Sequence, residues 1–517
     1  MALVIRPRDG YMRATHVLAA SAAILAFAAA PAGAEPKPQP PQGAIGNVGF
    51  VANLPELKRA TAINFLQYRK RDVMLATGRF GLRSYDISNP RKPRFLDAVD
   101  NEALRLPGDP PVDTDDSEEQ LSTFWQNEDM DVDARRKLVF MARDPRSFTG
   151  TTASDTSIAG VYIVDAKNPE RLGIITFHQL PTGHTTTCIN DCDYLWTGGP
   201  ASSDGQKTMF GWTGGRPIIV TDVRDPARPR TDPGKPVDLF RDDGETAYSH
   251  DVQVDGGGVA WVSGRGGVRG YWTKGRHRDP LSGATRRATA TDPIPYAGGE
   301  FEAGAAPSEF MHNAFRPAGS ERRDGPRRGH GYDPSELILA TEEADAPPDC
   351  NGSAQFSIAT LQGSYDGQAW RSTPEQPFRL ETVGTWNPHD QEGTRVDSPT
   401  SPYCSAHYFD QRNGILAYAW YDQGTRFIDV RNPRRPKQVA YYRPDDGVAW
   451  APYYHRGYIF VADHGRGVDI LKLKGGARRG REVKAPRPSA RHRRLVARAT
   501  RGLRADPQLG WLCPLLA

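Results

Sequence analysis

One phrase recurs along this chain and limits its fold more than any other feature. Gly81-Leu-Arg-Ser-Tyr-Asp86-Ile-Ser-Asn-Pro90 returns as Gly160-Val-Tyr-Ile-Val-Asp165-Ala-Lys-Asn-Pro169. It returns again as Pro217-Ile-Ile-Val-Thr-Asp222-Val-Arg-Asp-Pro226 and as Gly424-Thr-Arg-Phe-Ile-Asp429-Val-Arg-Asn-Pro433, with a truncated copy at Gly467-Val-Asp-Ile-Leu-Lys-Leu473. A repeated unit is one supersecondary element that cannot bury its core alone, so the copies must stack. Each phrase follows an apolar run (Val73-Met-Leu-Ala-Thr77, Leu138-Val-Phe-Met141, Ile415-Leu-Ala-Tyr-Ala-Trp420, Tyr458-Ile-Phe-Val-Ala462) and ends in Asp-x-x-Asn/Asp-Pro. The Asp or Asn side chain can bond the backbone two residues on, and Pro fixes the turn and stops the strand. Another strand follows, as in Arg94-Phe-Leu-Asp-Ala-Val99, and one more precedes the run. Four antiparallel strands at a spacing of about 50 residues make a propeller blade.

The strand that carries the phrase occurs seven times, near Tyr85, Ile163, Ile219, Val268, Phe356, Phe427 and Ile470. The last copy lacks its outer strand, and Gly46-Asn-Val-Gly-Phe-Val51 supplies it, which would close the ring without a free edge. The expected fold is therefore all-β: a single seven-bladed β-propeller over residues 44–474, closed by an N-terminal strand. Six or eight blades stay open, because residues 270–336 are hard to parse. Insertions fall at about 101–124, 273–307 and 317–335, and the last two read as long loops at one end of the propeller, where binding sites tend to lie. Gly (52) and Pro (43) are abundant among the 517 residues, as short strands joined by turns require.

The wording Tyr-Ile-Val-Asp-x-x-Asn-Pro and its relatives resembles the LVIVD-repeat family of exported bacterial proteins. The resemblance implies a propeller-like fold and an exported location, and it supplies no catalytic residues. The N-terminus agrees in kind: Arg13 precedes an apolar run from Val17 to Ala30, and Ala32-Gly33-Ala34 is a small-x-small cleavage site. Residues 1–34 read as a signal peptide and 35–43 as a Pro-rich linker. Residues 475–517 carry a net +9 and the first 34 residues +2, so the chain's +4 leaves the body mildly acidic at −7. Nucleic acid is not an expected partner of such a body. The basic end reads as a disordered tail. Export permits disulfides, and Cys188 with Cys192, and Cys350 with Cys404, are the candidate pairs, which leaves Cys513 over.

Gly183-His184, Ser249-His250, Met311-His312 and Ala406-His407 each precede or open the first strand of a blade. First strands line a propeller's channel, so equivalent positions share one height around it. By distance to the next strand, Asn64, Glu128 and Trp450 hold that position in the other blades. Imidazoles converging from rigid strands, with the Glu128 carboxylate, suit Zn²⁺, Cu²⁺ or Fe²⁺. Asp251 is placed to orient a ring from behind. A wet, structural channel mouth explains the same residues without a metal.

Other signals are weaker. His389-Asp390 and Asp463-His464-Gly465 are His/Asp pairs that could serve proton transfer, and turn chemistry explains them as well. Ser249-His250-Asp251 is no triad, since strand neighbours point to opposite faces. Trp420, Trp450, Tyr453 and Tyr454 read as core or rim aromatics. The sequence thus supports an exported, monomeric propeller that binds a protein, peptide or envelope polymer. The alternative is a metal-dependent oxidase or hydrolase centred on the histidines, with catalytic residues otherwise unknown.

Overall fold

A computed structural model of the chain describes residues 41–109, 127–144, 158–199, 217–232, 236–237, 248–265, 267–279, 282–301, 310–317, 337–343, 355–360, 379–388, 405–499, 503–506 and 510–516. The signal segment, Cys350, Cys404, His389, Asp390, the acidic stretch 113–119 and residues 318–335 lie outside them.

The strands form seven small antiparallel sheets around an axis, the seven-bladed β-propeller that the repeat requires. Blades 1 to 6 span residues 60–99, 130–180, 185–231, 248–301, 311–386 and 409–444; blade 7 spans 449–473 and is completed from the N-terminus. First strands face the axis, and Ala449–His455 of blade 7 packs against Ala60–Tyr68 of blade 1, which closes the ring.

The phrase lies on the third strand of its blade, in Gly81–Asp86, Ala159–Asp165, Ile219–Asp222 and Thr425–Asp429. Its polar ending is turn chemistry in every full copy. Asp86, Asp165, Asp222 and Asp429 accept from the backbone N–H two residues on, at 2.8–3.1 Å. Asn89, Asn168, Asp225 and Asn432 do the same one step later. The degenerate copies near Val268 and Phe356 also occupy third strands, Gly267–Trp272 and Phe356–Thr360.

Second strands are apolar on consecutive residues because both faces of each sheet are covered by neighbouring blades. Phe140 and Ile163 of blade 2 share one buried cluster with Leu195 and Ile219 of blade 3. Each such side chain contributes roughly 1.5–3 kcal/mol on leaving water.

The closing strand is Val48–Leu54, paired antiparallel with Gly467–Leu473 from Val48 opposite Leu473 to Leu54 opposite Val468. It starts two residues later than the sequence suggested. A turn at Asn47 (φ +57°) separates it from Gly43–Gly46, which instead adds a fifth strand to blade 6 opposite Tyr441–Pro444. The N-terminal segment therefore stitches two blades, and strand structure begins at Gly43, inside the expected linker.

Two further expectations change. The 273–307 insertion is not one long loop: Arg276–Arg278 and Thr285–Arg287 form a hairpin, and Ile294–Phe301 is the outer strand of blade 4. The 475–517 tail is not a disordered end. It runs over the propeller as far as a helix, Ala490–Ala499, because it has apolar and backbone groups to bury. Ala477, Ala485 and Val496 are buried, Val483 and Gln438 exchange hydrogen bonds, and Val496 joins the cluster of Tyr421, Val448 and Trp450. Cys188 and Cys192 form a disulfide with Cα atoms 4.4 Å apart. It staples a turn in which Asn190, Asp191 and Cys192 all have positive φ.

Candidate metal centre

An irregularity repeated in four blades places two of the site's residues. In blade 4, Ser249 pairs with Gly264 and Asp251 with Ser263, so His250 is an extra residue in its strand. His312 is extra in blade 5 in the same way, as are Thr61 in blade 1 and Trp450 in blade 7. An inserted residue bends the strand and re-aims a side chain. Blade 1 therefore contributes Thr61, not Asn64. Asn64 lies three residues further on and donates to the Met130 carbonyl at 3.3 Å. Counting residues to the next strand failed because Ala60–Tyr68, at nine residues, is longer than the seven-residue first strands of blades 4 and 7.

Glu128, His184, His250, His312 and His407, from blades 2 to 6, converge and are all buried. The Glu128 carboxylate is the hub. Its Oε2 meets His184 Nε2 closely and lies 3.5 Å from His250 Nε2. Its Oε1 lies 3.6 Å from His312 Nε2 and 2.6 Å from His407 Nε2. The rings follow one another, with centroids 5.1 Å apart from His184 to His250, then 4.2 Å to His312 and 4.0 Å to His407. Trp450 continues the series 4.3 Å from His407 and stacks on His464.

The outward nitrogens are anchored. His184 Nδ1 is 2.7 Å from Asp144 Oδ2, His250 Nδ1 is 2.9 Å from the His312 carbonyl, and His407 Nδ1 is 2.8 Å from the Trp450 carbonyl. A carbonyl accepts only, so His250 and His407 carry hydrogen on Nδ1, and a neutral His250 ring then presents a lone pair at Nε2. Asp251 does not serve as an orienting group. Its Oδ2 accepts from Gln253 at 3.1 Å and Asn313 at 2.8 Å, further along the channel.

Electrostatics sharpen this arrangement. Burial alone would raise Glu128, but the facing His184 and His407 hold it well below the usual carboxylate range. Burial drives His250 down to about 4 and His312 well below its ordinary value, so both are neutral near pH 7. His184 would be lowered by burial too, yet Glu128 and Asp144 lift it to about 9.

Neither nitrogen of His312 has a hydrogen-bond partner among the described residues. Buried polar groups are rarely left so. Lone pairs of neutral imidazoles face a carboxylate, acceptor against acceptor, which a cation would reconcile. The nitrogen and oxygen donors fit such an ion, and the buried cluster could hold a metal.

Sequence reasoning missed Asp144 and Glu343. Both follow second strands, Leu138–Arg143 and Leu337–Glu342. Glu343 lies 3.9 Å from His312 Nε2 and accepts the Tyr421 hydroxyl. His464 follows the second strand of blade 7 in the same way. Extending the repeat's register to the ends of second strands would have found all three. At that level in blade 3 stands Gly199 (φ +114°), where a Cβ would lie 2.1 Å from the His184 Cβ. Asp463 behaves as turn chemistry, accepting from the backbone N–H groups of Val448, Gly465 and Arg466.

No family model matches the chain, and no curated protein is similar to it.

Proposed function

We propose that this protein is a metalloprotein whose chemistry takes place in the propeller channel, with His184, His250, His312 and His407 as imidazole ligands and Glu128 as the carboxylate ligand. The observation that carries the reading is the buried Glu128 carboxylate facing the Nε2 atoms of four imidazoles, two of them neutral and with Nδ1 or burial fixing that state. A set rich in imidazole and free of thiolate favours Zn²⁺, Cu²⁺ or Fe²⁺ over Mg²⁺ or Ca²⁺. When bound, the ion would supply Lewis-acid or redox chemistry for hydrolysis or oxidation of a small molecule. Asp144 and the His312 and Trp450 carbonyls hold the rings in place. Phe310, Tyr408 and Trp450 pack against the His250, His312 and His407 rings. The propeller fold is also compatible with a binding role. The donor arrangement favours the metal reading over capture of a peptide or polymer.

We also place the protein outside the cytoplasm, among the exported LVIVD-repeat proteins. The support is the signal-like N-terminus, the repeated wording and the Cys188–Cys192 disulfide. No helix among the described residues is long and apolar enough to cross a membrane.

The test is metal analysis of the protein from residue 35 onward, as purified and after exposure to Cu²⁺, Zn²⁺ or Fe²⁺. Stoichiometric uptake is expected, falling at least tenfold in affinity in His250→Ala and His407→Ala. A protein that takes up none of these ions sinks the reading, and uptake that survives both substitutions moves the site elsewhere.

A further inference from the structure

Beside the histidine ring, further along the channel, lies a cavity of about 120 Å³, room for roughly four water molecules. It begins one residue beyond the ring on three strands, since Asp129 follows Glu128, Asn313 follows His312 and Tyr408 follows His407. The Tyr408 ring is 4.6 Å from His312 and 4.9 Å from His407, so the cavity and the ring share a wall.

The polar groups of this cavity include two carboxyl groups and three side-chain amides. Asp129 and Asp410 bring carboxyl groups, and no Lys, Arg or His is among the lining residues. The two Asp410 oxygens accept the backbone N–H groups of Gln411 and Tyr454, which fixes the carboxylate in place. Gln253 and Asn313 both donate amide N–H to Asp251, which leaves their carbonyl oxygens for other donors. Gln411 Oε1 and the Tyr408 hydroxyl are more than nine-tenths buried and have no hydrogen-bond partner among the described residues. Between these groups stand aromatic side chains, Phe315 and Tyr453 among them.

An anion would meet two carboxyl groups and no cationic partner. A neutral apolar molecule would bury Gln411 and Tyr408 unmet, at a cost of about 1–3 kcal/mol for each group. A cation with several N–H donors answers both problems, and aromatic faces favour an organic cation over a bare metal ion. We infer that this cavity binds a small organic cation, an alkylammonium of a few carbon atoms. The inference stands apart from the metal assignment, because none of the groups that carry it is a proposed ligand.

The experiment is calorimetric or ligand-detected NMR titration of the protein from residue 35 onward, metal-loaded and chelator-treated, with propylammonium, tetramethylammonium, propionate and Ca²⁺ as probes. Saturable binding of propylammonium in both preparations is expected, with propionate inert. Asp129→Asn and Gln411→Leu should each weaken it at least fivefold while circular dichroism and melting stay native. Gln411→Leu keeps the test decisive if Asp129→Asn fails to fold. Binding of propionate at comparable affinity would overturn the assignment. So would absence of ammonium binding, indifference to both substitutions, or Ca²⁺ displacing the ammonium at lower concentration. Ammonium binding in a protein that takes up no metal leaves this inference standing and removes the metal reading alone.

Discussion

A side chain in this channel is aimed by the residue count of its strand. His250 and His312 turn inward because each is one residue more than its partner strand can match. Gly199 is the complementary device, an absent side chain that leaves room for His184. Gly199→Ala is accordingly expected to displace the His184 ring and cost at least about tenfold in metal affinity, the scale of lost ligand orientation. Chelator competition measures it, with Gly173→Ala as the control, since a Cβ at Gly173 meets nothing within 4 Å. Wild-type affinity in Gly199→Ala would show that His184 is not a ligand. At this scale the sequence was readable where a residue type is rare and repeated. His184, His250, His312, His407 and Glu128 stood out by register alone. Thr61 did not, because the longer first strand of blade 1 shifts the count. Asp144 and Glu343 did not, because their role depends on which strand end faces which ring.

Elements of this chain are limited by turn chemistry at one end and by burial at the other. The Asp-x-x-Asn/Asp-Pro endings were legible because their hydrogen bonds are local and need no tertiary partner. The docking of the tail was not, since Arg and Pro dominate its composition and only a few residues, such as Val496, touch the core. Two ionisable groups are buried where it docks. Burial pushes Asp422 up to about 7 against a normal 3.8, and it pushes His492, beside the Asp422 backbone, down to about 4 against 6.5. The two act in opposite directions. For Asp422 the folded state holds its proton longer, so stability is lost as pH rises from about 4 to 7. For His492 the folded state sheds its proton sooner, so stability is lost as pH falls from about 6.5 to 4. Asp422→Asn should therefore raise the melting temperature most at pH 8 and little at pH 4, whereas His492→Gln should help most at pH 4. The ceiling on either effect is about 3–4 kcal/mol. Parallel pH profiles for wild type and both variants would show that neither group is buried as described.

As a whole, the molecule is a ring of sheets that has no stable partial form with all its edges covered. The closing strand Val48–Leu54 is held by its ladder and by Asn53, which donates to the Arg466 carbonyl and to Asp469. Removing residues 41–54 exposes the third strand of blade 7 as an edge and strips the added strand from blade 6. Such a protein is expected to aggregate or to melt well below the intact chain. A monodisperse, equally stable product would show that the ring closes in another way. The arrangement also bears on the candidate centre, whose five residues belong to five different blades.

The stitch between the two ends of the chain has a consequence in time. Asn53 and its partner Arg466 are 413 residues apart, so the closing strand waits for the seventh blade. At 5–20 residues per second of synthesis, that interval is roughly 20–80 s. Through all of it Val-Gly-Phe-Val-Ala-Asn-Leu is a hydrophobic strand without a mate, and blade after blade forms beside it with similar edges to offer. The chain must pass over six earlier blades to reach the correct one. Final assembly is thus a recognition problem within a single polypeptide, and an early mispairing would leave a ring of the wrong size with its histidines out of phase.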